Sequence, residues 1–296
     1  MKRLLPPTAE ARFIDVPGGR LRVLHGGTAR DGRRPLVLIH GGGTDNSAIS
    51  WYRLFGPFGA EREVWAVDLP GFGGSVGVPP VGGPEDLARV VLQAMDALGV
   101  QEAVVAGLSM GGDVALNVAL LAPARVAGLI LIAPGGLVPL LRNRTSQRWA
   151  WRAARLPDGI LLPLTRLANR FVDTALRAIV KDPSTLPPEV VEAFVQEARE
   201  PHGSVGYLRY NQATLGRDGM RNDLSDRVHV IDVPTLLLHG EDDPIVPPEG
   251  SRRAASRMPN ARLVMIPDCG HWVQLEAHDR VLPELLTFLR KLDLPT

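Results

Sequence analysis

Short apolar runs alternate with segments of helical periodicity along this chain, and the alternation restricts the folds that the chain can adopt. Continuous apolar runs are typical of strands buried in a parallel sheet whose two faces are covered by helices. The predicted strands of the first half occupy residues 36–40, 64–68, 103–108 and 126–133, after a hairpin of 12–16 and 20–24. The sequence therefore predicts an α/β fold with a mostly parallel central sheet.

Helix signals separate these predicted strands. Pro84 and Glu85 open a helix whose apolar residues share one face, and Gly99 ends it. A second helix is expected at 111–121, and a last one at 281–292, after strands at 235–239 and 262–266.

The pattern changes in the middle of the chain. Residues 137–230 contain amphipathic helical stretches without a convincing strand, among them an apolar series from Ile160 to Ile179. We therefore predict one α/β core, formed by residues 1–136 and 231–296, with a helical lid inserted at 137–230.

The composition excludes several classes of protein. The chain has 296 residues, of which 45% are hydrophobic, so that disorder is not expected. Its 33 Lys and Arg residues against 32 Asp and Glu give a net charge of +1, which argues against a nucleic-acid partner. A single cysteine, Cys269, excludes an internal disulfide and a cysteine-based metal cluster.

The sequence shows no signal peptide and no membrane span. Pro6 and Pro7 interrupt the apolar start, and the longest uncharged stretch, 126–141, is too short to cross a bilayer. We expect a cytoplasmic protein without metal or organic cofactor, and we do not expect it to contact a membrane.

A candidate nucleophile lies between a predicted strand and a predicted helix. Gly107, Ser109 and Gly111 form the pattern G-x-S-x-G, whose tight turn needs small residues beside an exposed serine hydroxyl. A serine at this place could also be an ordinary helix N-cap. The flanking glycines favour the nucleophile.

Two further segments supply the partners that such a serine needs. Asp242 and Asp243 follow a predicted strand, and His271 follows the last one. A histidine can take the serine proton while a carboxylate orients the imidazole. The chain order Ser, Asp, His is that of the α/β-hydrolases.

Glycines after the 36–40 strand offer backbone N–H groups without obstruction. We expect the N–H groups of Gly42 and Met110 to form an oxyanion hole. Gly41, Leu108 and Trp272 are further candidates for contact with the substrate.

Taken with their order, these motifs resemble the α/β-hydrolases, and within them the meta-cleavage-product hydrolases, which cut C–C bonds in vinylogous 1,5-diketones. The resemblance is carried by four segments: His40-Gly41-Gly42-Gly43, Ser109-Met110-Gly111-Gly112, Pro134-Gly135-Gly136-Leu137 and Cys269-Gly270-His271-Trp272. It implies that the acid is Asp243 and not Asp242. Two positions depart from that subgroup: Leu108 stands where it usually has Asn, and Phe194 stands where a substrate-binding lid arginine is expected.

Three functions follow as hypotheses. The two departures favour a serine hydrolase acting on a small or medium carboxylic ester through an acyl-enzyme. The alternative is C–C hydrolysis of a 2-hydroxy-6-oxodienoate diketone, and an alternative of another class is a ligand-binding receptor. The partner would be a small molecule, and an anionic one if the lid attracts it.

The first part of the predicted lid is basic. Residues 141–181 contain nine Lys and Arg against two Asp, with Trp149 and Trp151 among them. This pattern is typical of a solvated helix face, of a surface that attracts an anionic substrate, or of one that meets an anionic membrane. The sequence alone does not separate the three.

Overall fold

A computed structural model describes residues 3–201 and 203–294, and its centre is one eight-stranded sheet. The strands are β1 (Glu10–Val16), β2 (Gly19–Gly26), β3 (Leu36–Ile39), β4 (Val64–Val67), β5 (Ala103–Leu108), β6 (Val126–Ile132), β7 (Thr235–Gly240) and β8 (Ala261–Ile266). Their order across the sheet is β1-β2-β4-β3-β5-β6-β7-β8. Strand β2 is antiparallel to both β1 and β4, and all other neighbours are parallel. The predicted α/β architecture is confirmed.

Helices connect the strands and cover both faces of the sheet. They are α1 (Ser47–Ser50), α2 (Phe55–Glu61), α3 (Pro84–Ala97), α4 (Met110–Leu121), α5 (Arg144–Ala154), α6 (Asp158–Ala168), α7 (Val172–Ile179), α8 (Pro188–Arg199), α9 (Val205–Thr214), α10 (Glu249–Arg257), α11 (Val273–Glu276) and α12 (His278–Leu292). None of these described helices has the length and apolar character that crossing a bilayer requires. Helix α3 ends as predicted, because Gly99 takes a φ of 71° that other residues rarely adopt.

The core has two layers because side chains alternate along each strand. On β5, Ala103 and Val105 pack with helices α3, α4 and α10, whereas Val104 and Ala106 pack with α1, α2, α11 and α12. Both faces of β5 are therefore buried, which explains its continuous apolar sequence.

Helices α5 to α9 all lie between β6 and β7, and we call residues 133–234 the helical segment. The apolar series from Ile160 to Ile179 forms two helices, α6 and α7, separated by a 3₁₀ turn at Asn169–Phe171. Its side chains do not share one buried face: Leu161 and Leu176 are buried, whereas the four residues Ile160, Leu164, Leu167 and Phe171 are at least half exposed.

The strand order creates a crevice at the carboxyl end of the parallel strands. The chain passes from β3 to β4 on one side and then crosses to β5 on the other side of β3. Loops that follow β3 and β5 therefore diverge at this point, which is where open α/β sheets bind ligands.

Candidate active site

Ser109 occupies the turn between β5 and α4 in an unusual backbone conformation. Its φ is 53° and its ψ is −115°, a combination that costs free energy and that the surroundings must enforce. Its N–H donates to the Ile132 carbonyl at 2.9 Å, and its own carbonyl accepts from Gly112 and Gly135. These bonds hold the turn between two neighbouring strands of the sheet.

The flanking glycines are required by close packing. A Cβ at Gly107 would overlap the carbonyl oxygen of Gly111, and a Cβ at Gly111 would overlap the carbonyl oxygens of Ile39 and His40. The G-x-S-x-G pattern thus reflects the approach of α4 to β3 and β5, as its position between strand and helix predicts.

Ser109 and His271 line one cavity of about 370 Å³. The cavity lies between the carboxyl end of the sheet and the helical segment, which contributes residues of α6, α7, α8 and α9. Within the described residues, the Ser109 hydroxyl makes no hydrogen bond to His271.

Asp243 is the carboxylate that contacts His271. Its Oδ2 lies 2.6 Å from His271 Nδ1, which therefore carries the hydrogen, so Nε2 is the ring nitrogen left to accept a proton. Asp242 instead lies 3.1 Å from Lys181 Nζ at the surface. Burial alone would raise the pKa of Asp243, but hydrogen bonds from His239 and His271 outweigh it and hold that pKa well below its usual range.

A second histidine, His239, touches the same carboxylate, and the sequence analysis did not identify it. His239 is fully buried at the end of β7, with Nε2 3.1 Å from Asp243 Oδ2 and Nδ1 2.7 Å from Ser251 Oγ. The spacing of four residues between His239 and Asp243 was the available signal. An apolar strand around the histidine made it resemble a packing residue.

His40 holds the loop that follows β3. Its Nε2 accepts the N–H of Leu69 at 3.0 Å, so Nδ1 carries the hydrogen and donates to the Gly41 carbonyl at 2.7 Å. Burial lowers the pKa of His40, which keeps the ring neutral in this arrangement.

A buried carboxylate, Asp45, fixes the next part of the loop. It accepts hydrogen bonds from the Gly41 N–H at 3.1 Å and the Ser50 hydroxyl at 2.6 Å. Burial raises the pKa of Asp45 to about 7. The Gly41 N–H is therefore occupied, whereas within the described residues no acceptor takes the N–H of Gly42 or Met110.

Not all three residues predicted to contact the substrate line the cavity. Gly41 and Trp272 line the cavity. Leu108 is not among the described lining residues: its side chain is fully buried, and a Cβ at Gly41 would lie 3.4 Å from Leu108 Cδ2. The backbone of the glycine loop separates Leu108 from the cavity.

Uncharged side chains form most of the cavity wall. Phe194 stacks edge-on against Trp272 with ring centroids 5.3 Å apart, and Tyr207 of α9 lies over Gly42, where any Cβ would collide with its ring. Apart from His271, the described lining residues carry no ionisable charge near neutrality, and none is Lys or Arg.

A buried carboxylate joins the nucleophile helix to the helical segment. Asp113, on the first turn of α4, accepts hydrogen bonds from the Tyr210 hydroxyl and the Asn222 amide, each at 2.6 Å. Burial raises the pKa of Asp113 to about 6, although these hydrogen bonds lower it. The contact between helix α4 and helix α9 thus includes a titratable group, the carboxyl of Asp113.

Cys269 and the acidic residues do not form a second reactive centre. Burial raises the pKa of the Cys269 thiol to about 12, which disfavours the reactive thiolate near neutrality. Among the described residues, no three His, Cys, Asp or Glu side chains come together as a metal site would require.

Comparison with known proteins identifies the family. The family described as alpha/beta hydrolase fold matches residues 34–278, which is most of the chain. The chain belongs to the alpha/beta hydrolase family.

Individual members of the alpha/beta hydrolase family resemble the chain over most of its length. It is 31% identical to a 2-hydroxy-6-oxononadienedioate/2-hydroxy-6-oxononatrienedioate hydrolase of Paraburkholderia phymatum, over 95% of this chain and 96% of that protein. The motif resemblance to meta-cleavage-product hydrolases is thereby confirmed.

Two other proteins with different names are also similar to the chain. The chain is 34% identical to a dihydrolipoyllysine-residue acetyltransferase component of an acetoin cleaving system of Pseudomonas putida, over 88% of this chain but only 65% of that protein. The structure of a thermophilic esterase from Thermogutta terrifontis superposes with a TM-score of 0.71 at 28% identity, covering 97% of this chain and 100% of that one.

Proposed function

We propose that this alpha/beta hydrolase cleaves a small or medium carboxylic ester whose acyl part is uncharged, through an acyl-enzyme on Ser109. The observation that carries the proposal is the uncharged wall of the cavity, where Phe194 stands in place of the expected lid arginine. We also propose that residues 137–230 act as the lid of this site.

The side chains at the cavity have the roles that acyl transfer needs. His271 Nε2 accepts the proton of the Ser109 hydroxyl while Oγ bonds to the ester carbonyl carbon, and Asp243 stabilises the imidazolium. His271 then gives this proton to the departing alkoxide as the C–O bond breaks. Water attacks the acyl-enzyme with His271 as base, which releases the carboxylic acid and restores Ser109.

The N–H groups of Gly42 and Met110 stabilise the negative oxygen of the tetrahedral intermediate. Both are left without a protein acceptor in the described residues; Gly42 lines the cavity, and Met110 begins α4 directly after Ser109. Removing one such donor from other enzymes raises the barrier by about 3 kcal/mol.

The lining disfavours a substrate that brings a carboxylate into the cavity. An ionised carboxylate moved from water into an apolar site needs a cation or several hydrogen bonds to offset its desolvation. The described lining offers no Lys or Arg, and the Asn169 amide already donates to the Ala198 carbonyl at 2.9 Å. A neutral acyl group avoids this cost.

The second candidate is C–C hydrolysis of a 2-hydroxy-6-oxodienoate, and the similarity to hydrolases of that name favours it over the ester. Ketonisation of the dienol would precede attack by Ser109, and His271 would move the proton in both steps. This substrate would have to place its carboxylate against neutral donors.

A direct comparison of substrates tests the proposal. We expect kcat/KM for short and medium p-nitrophenyl esters to exceed that for a 6-aryl-2-hydroxy-6-oxohexadienoate, because only the dienoate is charged. We expect Ser109→Ala to lower ester turnover by about a thousandfold or more while the thermal unfolding temperature stays unchanged.

The opposite outcomes are equally informative. A preference for the dienoate would establish the second candidate and show that neutral donors suffice for its carboxylate. A folded protein whose Ser109 reacts with neither substrate nor a fluorophosphonate would be a ligand-binding receptor.

A further inference from the structure

One stretch of the helical segment, residues 142–171, exposes large apolar side chains. On α6, Ile160, Leu164 and Leu167 lie at spacings of four and three residues and therefore share a helix face. We call the exposed side of residues 142–171 the outer face; the large apolar residues of this stretch that are more than a third exposed are Trp149, Leu156, Ile160, Leu164, Leu167 and Phe171. Elsewhere in the described chain, exposed large apolar residues occur singly.

Arginines accompany these apolar side chains. Those without a carboxylate in ion-pair distance, among the described residues, are Arg142, Arg144, Arg152, Arg155, Arg166 and Arg170, and all are exposed. The two acidic residues of this stretch are already engaged: Asp158 pairs with Arg209 and Asp173 with Arg177. The outer face is therefore apolar and strongly cationic.

We propose that the outer face docks on an anionic lipid bilayer. Exposed helices with apolar residues, tryptophan and arginine bury their apolar side chains at the level of the lipid headgroups, while the cations contact anionic lipids. Arg152 lies 5.6 Å from the centre of the Trp149 ring, which brings a cation beside an interfacial aromatic. From the sequence we did not expect membrane contact, although the basic stretch left that interpretation open; periodicity did not reveal that the apolar side chains point outward.

The same charges disfavour a second copy of this chain as the occupant. A symmetric dimer places the same patch on both partners, so the unpaired arginines of one copy would face those of the other. The patch offers only two carboxylates to offset them, and both are occupied. The charge of an anionic surface is complementary to that of the outer face, whereas the charge of a second copy is not.

Docking at this face would place the wall of the cavity beside the membrane. Thr165 of α6 and Val172 of α7 line the cavity, whereas Leu164 and Phe171, their chain neighbours, belong to the outer face. The inference concerns where the protein resides and not which bond it breaks, so its test does not depend on the proposed function.

Sedimentation with lipid vesicles tests the proposal. We expect the wild-type protein to sediment with vesicles of phosphatidylcholine and phosphatidylglycerol, and much less with phosphatidylcholine alone. We expect about 1 M salt, where the Debye length is about 3 Å, to release most of it. Leu164→Ser with Phe171→Ser should lower the partition coefficient about tenfold or more, since both apolar anchors are lost.

Matched variants elsewhere on the surface are the controls. Phe13→Ser removes a half-exposed aromatic from β1 and should leave binding unchanged. Arg152→Gln with Arg170→Gln should weaken binding about fivefold per arginine, whereas Arg89→Gln with Arg257→Gln, which changes the net charge equally, should not.

Three results would overturn the proposal. One is a wild-type protein that does not bind anionic vesicles at low salt. Another is a Leu164→Ser, Phe171→Ser variant that binds them like the wild type. The third is a dimer, measured by sedimentation equilibrium, that the same variant converts to a monomer.

Discussion

Asp243 accepts hydrogen bonds from the imidazoles of His271 and His239. The neighbours of His239 decide the tautomer of its ring. His239 Nε2 faces two acceptors, Asp243 Oδ2 at 3.1 Å and the Val246 carbonyl at 2.9 Å, so Nε2 carries the hydrogen. The Ser251 hydroxyl can then donate to Nδ1. His239 is thus a positioning residue, which acts on His271 only through the carboxylate between them.

Replacing His239 by Leu should shift the pH dependence of activity. Without the His239 N–H, Asp243 keeps more negative charge for His271 and stabilises its protonated form. We expect kcat/KM to fall about tenfold at neutral pH, the size of effect that loss of an outer hydrogen-bond partner commonly has. We also expect the acidic midpoint of the kcat/KM profile to move to higher pH.

His239→Gln is the matched control, because its side-chain amide can donate to Asp243. It should restore most of the rate and the original midpoint. A Leu variant that unfolds at a lower temperature but keeps the wild-type midpoint would reduce His239 to a packing residue.

At single residues, local motifs predicted some of the side chains that lie at the cavity, but not all of their contacts. Ser109 and His271 were identified because glycine spacing and chain order mark them locally. Asp243 and Asp242 are adjacent and chemically identical, so only the position of β8 and its following loop relative to β7 decides which one meets His271. Leu108 does not line the cavity beside Ser109, because one residue along a strand reverses the direction of a side chain.

Between elements, Asp113 makes the stability of the α4–α9 contact depend on pH. Its folded pKa of about 6 is raised, so the neutral form is favoured, and stability is fully present below the unfolded pKa. That stability is lost as the pH rises through about 6, because ionisation then charges a buried group.

Tyr210→Phe should destabilise the protein more at pH 8 than at pH 5. The Tyr210 hydroxyl donates to the ionised carboxylate, and a hydrogen bond to a charged group contributes about 1.5–3 kcal/mol. Below pH 6 the carboxyl group of Asp113 is neutral, so the loss of the Tyr210 hydroxyl lowers the free energy of unfolding by less. Denaturant unfolding at both pH values measures the difference.

Tyr207→Phe, on the same helix but away from Asp113, should show the same loss of unfolding free energy at both pH values. Equal effects of Tyr210→Phe at pH 5 and pH 8 would mean that Asp113 does not ionise in this range.

Elements with local end signals were predicted closely, and those without were not. Strand β5 was predicted at its observed bounds, and α3 within one residue, because a continuous apolar run and the Pro84 and Gly99 signals are local. The break between α6 and α7 was not predicted, because the apolar series continues through the 3₁₀ turn. Periodicity shows that a face is apolar, but not whether it meets protein or solvent.

At the scale of the whole molecule, a buried ion pair joins two residues that are far apart along the chain. Arg62, next to β4, is fully buried and donates to Asp293, which follows α12, at 2.8 Å and 3.2 Å. Removing one partner of a buried pair leaves the other charge without compensation.

Asp293→Ala should therefore lower the free energy of unfolding by about 3 kcal/mol or more. Asp279→Ala on the same helix, where the carboxylate is exposed and its nearest cation is 3.8 Å away, should change it by about 0.5 kcal/mol or less. Urea unfolding compares them; equal losses would show that the Arg62 pair is solvated.

The topology of the whole chain followed from its pattern, whereas its long-range pairs did not. Alternating strands and helices predict a parallel sheet, and connection rules restrict the strand order. Nothing local relates Arg62 to Asp293, because 231 residues separate them and either could equally be a surface charge.

The carboxylate shared by α4 and α9 sets a condition for exchanging substrate specificity between relatives. A chimaera that received another protein's helical segment would keep Asp113 but lose the donors Tyr210 and Asn222, which both lie in that segment. The buried carboxylate, one turn from Ser109, would then keep only the Asn117 amide as a side-chain donor. A transplanted segment must bring both donors with it, or the graft must replace Asp113 by an apolar residue at the same time.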